Sequence, residues 1–130
     1  MNILITGSRS IKMKEYIYYI LDKEINDGDY VIQGGAEGVD QIALDWCNKV
    51  LDSNSKNVNF NTVRPINNST VYYLHRNAEM VGMCDRVIAF WDGKSRGTDF
   101  TIRYAKARNI PVKIYNPHSQ TKEANKNEWR

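Results

Sequence analysis

The chain has 130 residues, 42% of them hydrophobic and 25% charged, and carries a formal net charge of +3. That length holds one domain with a real core, and the apolar and charged fractions exclude wholesale disorder. No apolar run approaches the roughly 18–20 residues that span a bilayer, MNILITGSRS is no signal peptide, and Cys47 and Cys84 alone build neither a disulfide framework nor a zinc site. A reducing, cytoplasmic setting is the expectation.

Residues 2–6 (NILIT) form a short apolar run stopped by Gly7, which reads as a buried strand. Ile17, Ile20, Leu21 and Ile25 then recur at helical spacing, and Asn26-Asp27-Gly28-Asp29 supplies a stop and a turn. Residues 30–33 are a second strand, ended by Gly34-Gly35. The clearest helix follows, with Val39, Ile42, Ala43, Trp46, Cys47, Val50 and Leu51 on one face. Val58, Phe60 and Thr62 alternate with asparagines, as in a half-exposed strand at a sheet edge. Val71, Leu74, Ala78 and Val81 mark a third helix. Residues 86–90 (RVIAF) suit the centre of a parallel sheet, Ile102, Ala105 and Ala107 mark a fourth helix, and residues 111–115 give a fifth strand. Five alternations of strand and helix predict an α/β domain over residues 1–115. Its mainly parallel sheet would run in the order 3-2-1-4-5 with helices on both faces. A polar tail covers residues 116–130.

In such a sheet, ligands bind outside the carboxyl ends of the strands, where the strand order reverses. Three glycine-bearing loops converge on that edge: Gly7-Ser8-Arg9, then Gly34-Gly35-Ala36-Glu37-Gly38-Val39-Asp40, then Trp91-Asp92-Gly93-Lys94-Ser95-Arg96-Gly97-Thr98. Glycines admit a ligand to the backbone, and helix starts offer N–H groups to anions. Arg9, Lys94 and Arg96 add charge, while Ser8, Ser95 and Thr98 add hydroxyl donors. Each feature also has a plainer reading. Gly7 serves a turn, Asp40 either complements the start of its helix or orients its loop, Thr98 caps a helix, and Lys94 and Arg96 are solvated loop charges. On composition alone Arg76 and Asn77 are surface residues. His75 has no Ser or Cys partner and makes no triad.

MNILITGSR, QGGAEGVDQIA, HRNAEM and FWDGKSRGTDF, in this order and spacing, resemble the small Rossmann-like proteins of the SLOG superfamily. The resemblance is nearest to the YspA-like branch, with kinship to DprA-type and LOG-type proteins, and covers about residues 1–115. It implies a nucleotide or nucleotide-derived ligand such as an ADP-ribose derivative, bound for sensing, sequestering or processing a signal, as in phage-defence conflict. The ligand-binding residues it implies are Gly34, Gly35, Ala36, Gly38 and Asp40 from the second loop and Asp92, Gly93, Ser95, Gly97 and Thr98 from the third. Gly7, Ser8 and Arg9 of the first loop join them, with Arg76 and Asn77 entering from the preceding helix. The LOG-type PGGxGTxxE signature departs here: Thr101 stands where its catalytic Glu falls, and Asp99 or Glu37 would have to substitute. A threonine hydroxyl cannot replace a carboxylate that stabilises an oxocarbenium-like centre or activates water.

A small-molecule binding domain with no cofactor and no metal is therefore the leading expectation. A hydrolase of an N-glycosidic or phosphate bond is the first alternative. Single-stranded nucleic-acid binding, by analogy with DprA, is the second; it calls for a basic groove with stacking aromatics, for which Tyr72, Tyr73 and Trp91 are candidates. The mild basic charge argues against nucleic acid as a partner, since basic residues would be expected to cluster. Family analogy and the tyrosines of the first helix, Tyr16, Tyr18 and Tyr19, lead us to expect a homo-oligomer.

Overall fold

The computed structural model describes residues 1–117; the predicted tail, apart from residues 116 and 117, lies outside the described residues. The chain forms β1 (Asn2–Gly7), α1 (Lys14–Glu24), β2 (Tyr30–Gln33), α2 (Val39–Asp52), β3 (Asn59–Thr62), α3 (Thr70–Met83), β4 (Arg86–Phe90), α4 (Arg96–Ala107) and β5 (Val112–Tyr115). The strands pair in parallel in the order β3-β2-β1-β4-β5, as the alternating pattern predicts.

The apolar runs explain the order. β1 sits at the centre, with Leu4 in register with Ile32 on one side and Val87 on the other. Successive side chains of a strand point to opposite faces, and both faces of β1 and β4 are covered. Ile3, Ile5, Ile88 and Phe90 pack with Ile17, Leu21, Ile42 and Trp46, which places α1 and α2 on one face. Leu4, Ile32, Val87 and Ala89 pack with Met80, Val81, Ile102 and Ala105, which places α3 and α4 on the other. A strand buried on both sides must be apolar throughout, and ILI and VIAF are. β3, with its exposed Asn59 and Asn61, takes an edge.

Two local expectations are corrected. The first helix does not follow Gly7-Ser8-Arg9 directly. Ile11 N–H bonds Ser8 O at 3.1 Å and the Ile11 side chain is fully buried, so residues 8–13 fold into an anchored loop and α1 starts only at Lys14. Thr98 is not a helix cap either. α4 opens at Arg96 with Ser95 at the N-cap position, and Thr98 lies buried inside the first turn.

Candidate functional site

The chain leaves β1 toward β2 and β3 on one side, then returns to β4 and β5 on the other, so the order reverses between β1 and β4. The carboxyl ends of these two strands open into a cleft of about 670 Å³, within the range of small-molecule sites. Its walls are the loop after β1, the loop after β4 with the first turn of α4, and the face of α3. Leu74, Met80 and Phe100 give it an apolar floor, and Arg9, Arg76 and Arg96 give it positive charge.

Each of the glycine-bearing loops is shaped by an aspartate of its own. Asp40, in the first turn of α2, accepts the N–H groups of Gly34 and Ala36 on Oδ2 at 3.2 and 3.1 Å. It thus both complements the helix start and orients the loop, joining the two readings the sequence leaves open. Burial pushes its carboxyl up to about 6, against the pull of the Ala36 and Gly34 N–H groups and of the Arg76 and Arg9 charges. Asp92 does the same for the third loop. Its Oδ1 accepts Lys94 and Ser95 N–H at 2.8 Å each, and its Oδ2 accepts the Ser10 hydroxyl at 3.1 Å. Desolvation raises the Asp92 carboxyl, but these bonds and the Ser8 hydroxyl outweigh it and hold the group at about 2. Asp92 N–H in turn donates to Ser8 Oγ at 3.1 Å, tying the loops after β1 and β4 together.

Of the candidate residues, Gly7, Ser8, Arg9, Ala36 and Asp40 line the cleft from one side, and Asp92, Ser95, Gly97 and Thr98 from the other. Arg76 and Asn77 line it from α3, but neither is a surface residue. Both are buried, and much of Arg76 is committed to the protein. Its Nε donates to Asn77 Oδ1 at 2.9 Å, and its Nη1 to Val63 O at 3.1 Å and to Gly34 O at 2.5 Å. Arg76 therefore clamps β2, the end of β3 and α3 together, and its role in holding a ligand is confined to its remaining N–H groups. Gly34, Gly35, Gly38 and Gly93 do not line the cleft. Gly34 makes room for Arg76, where a Cβ would stand 2.7 Å from the guanidinium carbon. Gly38 has φ +80° and lies against the Arg9 carbonyl, 2.6 Å from where a Cβ would be; only glycine combines that backbone with that approach.

The substitute carboxylates considered for hydrolysis do not reach the cleft. Asp99 bonds Arg103 one turn along α4, and Glu37 is exposed on its loop. Thr101 is fully buried and donates its hydroxyl to Gly97 O at 3.0 Å. Trp91 is also structural: its Nε1 donates to Ser95 O at 3.0 Å and pins the loop ahead of α4. Residues that the sequence reading left out, or named only for the nucleic-acid alternative as it did Tyr73, complete the site. Tyr73 lines the cleft with the Arg9 and Arg76 guanidinium groups at 5.4 and 5.3 Å from its ring centroid, a cation–π arrangement. Thr6, Ser10, Thr70 and Phe100 line it as well. Tyr73 and Arg9 are 64 positions apart in the sequence, and no local pattern pairs them.

No family model matches the chain, and no curated protein matches it in sequence. Among solved structures it is similar to DNA processing protein A (DprA) from Streptococcus pneumoniae, with a TM-score of 0.72 and 16% identity over 92% of this chain and 51% of that one. It is also similar to DNA processing protein A from Helicobacter pylori, with a TM-score of 0.66 and 21% identity over 92% of this chain and 67% of that one. The fold is that of the DprA proteins. This chain spans about half the length of the first and two thirds of the second. The Helicobacter pylori structure is described for its unique single-stranded DNA binding mode. That finding corrects the expectation against nucleic acid, which rested on net charge: a small overall excess says nothing about where the arginines gather, and here they gather at the cleft. Among the described residues, no helix is long and apolar enough to cross a membrane.

Proposed function

We propose that the cleft binds single-stranded nucleic acid, seating one nucleotide between the loop after β4 and the face of α3. The observation that carries this reading is the Tyr73 ring beside the Arg9 and Arg76 guanidinium groups in a basic cleft at the strand-order reversal. Stacking rings set among cations are what a flexible strand needs, because every base has a π-face and every nucleotide a phosphate. The phosphate sits toward Arg9, Arg96 and the first-turn N–H groups of α4, which a helix leaves without intrahelical partners. The DprA-like fold supports the same choice, whereas the motif series that resembles the SLOG superfamily and its YspA-like branch points to a nucleotide ligand in either form. A free nucleotide or nucleotide derivative is the second reading, favoured by the cleft's volume, which suits a single nucleotide.

Fluorescence anisotropy with a short labelled oligonucleotide tests the proposal. A single strand binds, and a duplex of the same sequence binds more weakly because its bases are already stacked. Affinity falls with salt, and Arg96→Ala lowers the slope of log K against log salt by about 0.7, the single-strand value for one phosphate contact. Equal affinity for duplex and single strand, or an unchanged slope in the variant, rejects the reading. Calorimetry with mononucleotides and dinucleotides tests the second.

A further inference from the structure

The two oxygens of Asp40 have different fates. Oδ2 holds the Gly34 and Ala36 N–H groups, whereas Oδ1 has no hydrogen-bond partner among the described residues. The residue is only 6% exposed, and it lines the cleft. Arg76 and Arg9 are close enough to act on it through their charge, yet neither forms an ion pair with it; Arg76 spends its Nε and Nη1 on Asn77, Gly34 and Val63. The little exposure that Asp40 retains is toward the cleft it lines, and a ligand that covers this unpaired oxygen without giving it a donor binds against the cost of stripping its water.

We propose that Asp40 Oδ1 accepts a hydrogen bond from a neutral donor on the bound nucleotide, a ribose hydroxyl or a base amine, and so selects which nucleotide the cleft holds. This rests on the nucleotide reading of the cleft and adds the recognition of one particular group to it. An ionised carboxylate accepts and cannot donate. It repels phosphate, so the phosphate takes the opposite wall at Arg96 and the first turn of α4, and the sugar or base edge faces α2. A site built to receive a donor discriminates strongly against the analogue that lacks it, because the acceptor is then left buried and unpaired.

Asp40→Asn is the informative variant. The amide oxygen takes over the Gly34 and Ala36 N–H groups, and the amide NH₂ then stands where Oδ1 stood, replacing an acceptor with a donor at nearly constant shape. Two pairs of labelled strands report on it. Oligouridylate and oligodeoxyuridylate differ at the 2′-hydroxyl; oligodeoxyadenylate and the same strand built from purine without the 6-amino group differ at the amine. The wild type prefers the donor-bearing member of one pair by about tenfold or more, the worth of one hydrogen bond to a charged group, and the pair that responds names the donor. Asp40→Asn loses that preference, and a far-UV circular dichroism spectrum and thermal transition like those of the wild type show that the variant is folded. Equal affinities within both pairs for the wild type, or a preference that survives in Asp40→Asn, overturn the inference and leave strand binding standing. Failure of the wild type to bind any of the four strands removes the single-strand reading, and the inference with it.

Discussion

At Asp40 a carboxylate is kept almost out of solvent, and the consequence is a pH dependence of definite sign. Its folded pKa, about 6, lies above the ordinary 3.8, so between these values the native state holds a proton that the unfolded chain has released. Stability is then greatest below pH 4 with respect to this group and falls as pH rises through 6, by at most about 3 kcal/mol. Asp92 and Glu24 act in the opposite sense. Both are raised by desolvation and lowered further by hydrogen bonds, Glu24 by those from Lys113 and Tyr115, and their contributions are lost only as pH falls below the normal carboxylate range. Urea unfolding between pH 4.5 and 7 should show wild-type stability declining toward neutral pH, and Asp40→Asn should flatten that decline. Two glycines give a second contrast. Gly38→Ala sets a side chain at positive φ against the Arg9 carbonyl and should destabilise by about 1–3 kcal/mol. At Gly97 an added Cβ meets nothing nearer than Asn77 Nδ2 at 3.9 Å. Gly97→Ala should therefore leave the thermal midpoint nearly unchanged, and Gly97→Val should weaken strand binding by narrowing the cleft beside the first turn of α4.

Among the elements, α3 lines the most of the cleft and α4 faces it, and the placement of α4 depends on the segment before it. Trp91 packs with the α3–α4 layer and hydrogen-bonds Ser95 O, while Asp92 gathers the Lys94 and Ser95 N–H groups and the Ser10 hydroxyl. Trp91→Phe keeps most of the packing and removes the indole donor. It should cost about 1 kcal/mol and speed amide exchange in the first turn of α4 ahead of the rest of that helix. α1 contributes no residue to the cleft, because burying Ile11 moves its N-terminus away. Its tyrosines are also largely used within the fold: Tyr16 packs edge-on to Phe90, and Tyr18 lies beneath Lys14 and Lys49. Tyr19 alone of the three is exposed, so the aromatic excess read from the sequence shrinks to a single side chain.

For the molecule as a whole, the fold and the electrostatic character of the cleft have separate origins. A net charge of +3 is too small to draw a polyanion to the surface at large, and the binding proposed here depends on arginines brought together from the loop after β1, from α3 and from α4. Substituting Arg9 and Arg96 together by Ala should weaken single-strand binding far more than substituting two lysines of α1, such as Lys14 and Lys23, although the net charge changes equally. Anisotropy titrations at one fixed salt concentration distinguish the two cases.

The sequence alone determined the order of the strands and the sheet edge on which the candidate cleft opens. ILI and VIAF, bounded by turn residues, suit strands covered on both faces, the asparagine alternation of β3 suits an edge, and parallel strands put the loops that follow them on one side. The glycines at 34, 35 and 38 were also legible, but as ligand contacts rather than as the spaces they leave for Arg76, Arg64 and the Arg9 carbonyl. What only the tertiary structure decided was which polar groups remain free. Arg76 reads as a surface cation until Gly34 O, Val63 O and Asn77 are seen to hold it; Asp40 reads as a helix-start acid until its second oxygen is seen to stand unpaired at the cleft. Local spacing fixes which face of an element a side chain occupies. Whether its hydrogen bonds are already spent depends on partners tens of residues away, and those meet only when the sheet is assembled.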